Sequence, residues 1–166
     1  EVWPLASVLR TRLELGALTR LIDRGLVQVS GATPSDASHV LGTLDVWNTD
    51  AARAALLLFG RRRTGSGEQL GRSAEAVAKM VVDQLTHQTG LALLETAFSE
   101  ETTDFGLPPD VLARHVLMQR GLQNHAGVVR INTGLNLPAV GLGASATNYY
   151  PAVGALMGAE MILPEH

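Results

Sequence analysis

Asp36 and His39 stand three residues apart in Thr33-Pro-Ser-Asp-Ala-Ser-His39. On a helix that spacing puts a carboxylate and an imidazole on one face, where they can serve as acid and base. A second chemistry-bearing stretch covers residues 137–151, Leu-Pro-Ala-Val-Gly-Leu-Gly-Ala-Ser-Ala-Thr-Asn-Tyr-Tyr-Pro. It reads as a strand delivering a Gly-x-Gly turn to a helix start, where backbone N–H groups can face a polar or anionic ligand. Gly141, Gly143, Ala144 and Ser145 are its candidate binding residues. A third candidate is Arg61-Arg-Arg-Thr-Gly-Ser-Gly67, where three cations run into flexible residues.

Each of these has a plainer structural reading. Thr33 caps a helix, Pro34 fits its first position, and Asp36 completes a capping box, which leaves His39 to pack or to face solvent. The glycines serve equally to relieve crowding in a tight strand-to-helix turn. Arginines near a helix C-terminus are favoured by the helix dipole without any ligand. His87, His115 and His125 have neither metal-ligand spacing nor clustered carboxylates, so no metal site is expected. Ser145 lacks the second glycine of a Gly-x-Ser-x-Gly elbow, which disfavours a serine hydrolase. Trp47, Tyr149 and Tyr150 read as core or interface anchors.

The elements that must position these residues follow from apolar periodicity. Steps of three and four from Leu5 to Ile22 predict an amphipathic helix over 5–24, ended by Gly25. A brief strand over 26–29 precedes a helix over 34–41 that Gly42 terminates. Asn48 or Thr49 caps a third helix running to 59–61, and Ser73 starts a long one reaching 98, with Gly90 as a place to bend. After an exposed loop over 99–106, Pro108 or Pro109 opens a helix to 120. Strands are expected over 128–131 and 138–142, then a helix over 149–157 and a last strand over 161–163. The fold class is therefore α/β, helix-rich with a small sheet.

Composition narrows the function classes. The 166 residues suit a single domain over 1–166 that buries roughly 70% of its unfolded surface. Thirteen Lys and Arg against sixteen Asp and Glu give a net charge of -3, which argues against a nucleic-acid partner. Cysteine is absent, which excludes disulfides, thiolate metal sites and a cysteine nucleophile, and is compatible with a cytoplasmic location. No apolar run approaches the roughly 20 residues that span a bilayer, so no membrane partner is expected. The chain opens on Glu1 and stops two residues after Pro164, which reads as an internal or C-terminal piece of a longer protein.

Three words in order carry a family resemblance. Residues 25–42 resemble the G-hydrophobic-x-x-(S/G)-G-x-T-P-(S/T)-D-A-x-x-V-L-G stretch of the hydantoinase A and oxoprolinase family. Residues 137–146 are similar to its hydrophobic-P-hydrophobic-hydrophobic-G-hydrophobic-G-A run, and residues 162–166 to its strand ending in P-E-H. Between these words the match is chiefly one of helical character. The resemblance implies part of an actin-like, ribonuclease-H-like ATPase lobe in an ATP-dependent hydantoinase. Such an enzyme couples ATP hydrolysis to opening a cyclic amide, with phosphorylation making the amide oxygen a better leaving group. It also implies ATP and Mg as cofactors of the full-length protein, with Gly141, Gly143, Ala144 and Ser145 in the nucleotide pocket. The implied partners are the remainder of the parent chain and a hydantoinase B-like subunit. The family's acidic Asp-x-Gly-Gly-Thr phosphate loop does not occur in the sequence, so activity of this chain alone is not expected. A related ATP-dependent acetone or acetophenone carboxylase subunit is an alternative. A third reading is a non-catalytic helical assembly module forming homo-oligomers through the helices at 5–24 and 73–98.

Overall fold

The computed structural model describes residues 5–143 and 146–164. Contacts gather into two compact units, Glu1–Gly31 and Ala32–His166.

In the first unit the helix expected over 5–24 is two helices, α1 (Leu5–Val8) and α2 (Arg12–Asp23). The break has a local cause. Thr11 adopts an extended backbone, and the Glu14 carboxylate accepts from its N–H at 2.6 Å, so a capping box starts a new helix inside an unbroken apolar pattern. Residues 26–29 form no strand, because no other segment of the described chain pairs with them.

The second unit is built on three well-capped helices. In α3 (Pro34–Val40) the Thr33 hydroxyl accepts from the Asp36 N–H at 3.2 Å, and Gly42 follows in the left-handed conformation at φ 73°. In α4 (Thr49–Gly60) the Asn48 side chain accepts from the Ala51 N–H at 2.9 Å. In α5 (Ala74–Glu100) the Ser73 hydroxyl accepts from the Ala76 N–H at 3.1 Å. The last helix continues through Gly90, where Leu156 and Met157 pack against it. An ion pair from Arg53 to Glu75 joins α4 to the first turn of α5 and holds the Glu75 carboxyl below its ordinary range, chiefly through the hydrogen bond from the guanidinium.

These helices enclose a first core of Ala37, Val40, Ala52, Leu56, Ala74, Val77 and Ala78. Most of its members are small, so the backbones approach closely. A Cβ on Gly60 would lie 2.7 Å from the Gly71 carbonyl oxygen, and one on Gly71 would run into the Val77 side chain. Leu56 is fully buried here, a burial worth about 1.5 to 3 kcal/mol.

The helix expected from 108 or 109 to 120 is also two, α6 (Pro109–Ala113) and α7 (Val116–Leu122). His115 takes an extended backbone between them, and its Nδ1 accepts from the Leu117 N–H at 3.3 Å, which caps α7. Residues 128–131 are not a strand. They belong to a tight turn closed by the Ala126 to Arg130 bridge, with Val128 fully exposed.

The sheet is small and parallel. Strand β1 (Ala139–Val140) pairs with β2 (Met161–Ile162) in the register Ala139 to Met161 and Val140 to Ile162. Helix α8 (Ala146–Met157) connects them, starting three residues before the expected Tyr149, because the Ala146 N–H already donates to the Gly143 carbonyl at 3.0 Å. A second core of Leu94, Ala113, Leu122, Val153 and Met157 packs α8 and α6 against the far half of α5. The fold is thus helix-rich with a two-stranded parallel sheet, a mixed α/β arrangement.

Candidate functional site

The glycine turn and helix α3, about a hundred residues apart in sequence, lie against one cleft. Pro34 and Ser35 from α3, Leu85 and Thr89 from α5, Leu142 from the turn, and Ala146, Tyr149 and Tyr150 from α8 enclose a volume of about 330 Å³. Just behind Ser35, the buried Ser38 hydroxyl donates to the Tyr149 hydroxyl at 3.1 Å. Ser38 is itself held in place, since its carbonyl accepts from the Thr43 and Leu44 N–H groups at 3.0 and 3.3 Å.

The two glycines answer different needs. At Gly141 a Cβ would meet the Tyr150 ring and lie 2.7 Å from Leu163 Cδ2, so glycine lets β1 pass directly beneath α8. The same residue extends the ladder, its N–H donating to the Ile162 carbonyl at 2.9 Å. Gly143 has open space around it but sits at φ 117°, a backbone region that side chains disfavour. The steric explanation of the Gly-x-Gly pair is therefore sufficient for both positions. Ala144 and Ser145, the other two candidate binding residues, lie outside the described residues.

Asp36 and His39 do not form an acid and base pair. The Asp36 carboxylate is committed to the cap, accepting from the Thr33 N–H at 2.8 Å and the Thr33 hydroxyl at 2.7 Å. His39 is only 2% exposed, and neither ring nitrogen has a hydrogen-bond partner. Its ring stacks on Trp47 with centroids 5.5 Å apart and planes at 29°. Trp47 is thus a cover for a buried imidazole while remaining largely exposed itself.

The arginine stretch closes into a small hairpin. Arg62 lies 5.3 Å over the Phe59 ring, and Arg63 donates to the Gly67 carbonyl at 2.6 Å, so two of its three cations have internal partners. No group of three His, Asp or Glu side chains suited to a metal occurs among the described residues. No described helix is long and apolar enough to cross a membrane.

Sequence reading missed Leu85, Thr89 and Ser38 as neighbours of the cleft. Nothing local marks them, because only the packing of α5 and α8 brings them there. Chemically the cleft offers hydroxyls, aliphatic surface and two tyrosines, with neither carboxylate nor cation lining it among the described residues. It suits an uncharged, partly aromatic group. It does not suit a triphosphate, which calls for cations, or a magnesium ion, which calls for carboxylates. No protein-family model, no curated protein and no solved structure matches the chain.

Proposed function

We propose that this chain is a domain of an ATP-dependent hydantoinase or oxoprolinase-like hydrolase, an enzyme that opens a cyclic amide at the expense of ATP. In this reading residues 32–166 belong to an actin-like lobe, and the cleft between α3 and the Gly141 turn contributes part of the nucleotide pocket. One observation supports it: the two sequence words that resemble the family, residues 33–42 and 137–146, border the same cleft, and Ser38 of the first donates to Tyr149, three residues beyond the second.

The lining favours one part of the nucleotide over the rest. Tyrosine faces, aliphatic groups and hydroxyls accommodate the uncharged adenosine end. The triphosphate and magnesium fall to the phosphate loop of the parent protein, so the domain is inactive by itself. Tyr149, held by Ser38, orients one wall of the cleft, and Leu142 of the glycine turn lines another.

Titration of the chain with Mg-ATP, followed by amide NMR, tests the reading. Shifts are expected at both borders of the cleft, residues 34–38 and 141–149. Absence of any perturbation at millimolar nucleotide refutes it, as does a parent coding sequence without an Asp-x-Gly-Gly-Thr loop.

A further inference from the structure

A polar cavity of about 430 Å³ lies toward the opposite end of α8 from that cleft, roughly 12 Å away along the helix. Asn124, Asn132 and Asn136 line it together with the backbone of the last turn of α8. None of the three carboxamides has a hydrogen-bond partner among the described residues. The Thr133 hydroxyl, also in the wall, is already directed at Met118 Sδ at 3.8 Å.

The cavity is held open by backbone contacts. The Leu135 N–H donates to the Met157 carbonyl at 3.0 Å, and a Cβ on Gly134 would lie 2.5 Å from that same oxygen, so segment 132–136 is pressed onto the helix end. Asn124 stands at φ 51°, and its N–H donates to the Gly121 carbonyl at 2.9 Å. That left-handed position explains an asparagine at 124 on backbone grounds. Nothing in the backbone calls for one at 132 or 136.

The lining selects its ligand by exclusion. Among the described residues it contains no ionisable side chain, and the C-terminal end of α8 carries partial negative charge that repels anions. Magnesium or calcium would find no carboxylate. A bare monovalent ion would leave most of the volume unfilled. Carboxamides both donate and accept, so the matching ligand is uncharged and offers several O–H groups that do the same.

We propose that this cavity binds a neutral, hydroxyl-rich small molecule, a monosaccharide or polyol. The site is separate from the nucleotide cleft and stands whether or not that cleft takes ATP. Titrating the chain with ribose, glucose and glycerol while following asparagine side-chain NH₂ signals tests it, with potassium chloride and inorganic phosphate as parallel arms. Saturable shifts of Asn132 and Asn136 are expected with at least one of the three polyols, and none with phosphate. Asn132→Ala and Asn136→Ala each weaken binding about fivefold, the net worth of one hydrogen bond. Asn124→Gly, which keeps the left-handed backbone and deletes the carboxamide, does the same. Positions 132 and 136 are exposed, so an unchanged spectrum elsewhere certifies the fold of each variant. No saturable shift with any polyol, equal affinity in all three variants, or saturation by potassium instead overturns the proposal.

Discussion

Replacing His39 with phenylalanine should stabilise the protein. The imidazole is 2% exposed, and both nitrogens lack partners. In its neutral form one is a donor and the other an acceptor, and each buried unsatisfied group costs about 1 to 3 kcal/mol. Phenylalanine removes both polar atoms and keeps a flat ring for the stack on Trp47, 5.5 Å away. Its extra ring carbon costs about 1 to 3 kcal/mol of overpacking. The balance is a gain of about 1 to 3 kcal/mol, which for a chain of this size raises Tm by about 3 to 10 °C. His39→Ala should do the reverse, losing about 2 to 4 kcal/mol to the cavity left under Trp47. Urea unfolding followed by circular dichroism measures both, with an unchanged m-value confirming that the native state is comparable. A His39→Phe protein less stable than the parent by about 1 kcal/mol or more would show that the imidazole nitrogens are satisfied, and the reasoning would fail.

Thr33→Ala should cost about 1 kcal/mol in the same unfolding assay, because it removes the acceptor for the Asp36 N–H and a donor to the Asp36 carboxylate; no measurable loss would mean that the cap does not hold α3 in place. Arg53→Ala should return the Glu75 carboxyl toward its ordinary range, as read by carboxyl ¹³C shifts against pH. The folded-state value is the depressed one. The pair's stabilisation is therefore present above the unfolded glutamate value and lost as pH falls through the folded value. Because both side chains are about half exposed, added salt should erase most of the effect.

Helix starts set by a few adjacent residues were legible in the sequence. Thr33, Asn48 and Ser73 each cap the helix expected of them, since a cap is a bond between neighbours. The break at Thr11 was also written locally, as Thr-x-x-Glu, but the apolar steps running through it hide the signal. The break at His115 has no conventional cap residue, only an imidazole serving as one. Residues 26–29 and 128–131 have the side chains of strands and lack partners, and a strand exists only where another segment pairs with it. The site divides in the same way. Gly141 and Gly143 announce a turn, whereas Thr89, Ser38 and the three asparagines reach their cavities through packing that no local pattern encodes.

The small residues between α3, α4 and α5 give the two cores opposite sensitivities to sequence drift. Around Ala37, Ala52, Ala74 and Ala78 there is little side chain to delete and, beside Gly60 and Gly71, no room for an added methyl. Around Leu94, Leu122, Val153 and Met157 there is volume to lose. Apart from Leu56, and from Gly90, which has no room for a methyl, truncating substitutions should thus weigh more on the second core and enlarging ones more on the first, a contrast that a deep mutational scan would read along the single helix α5.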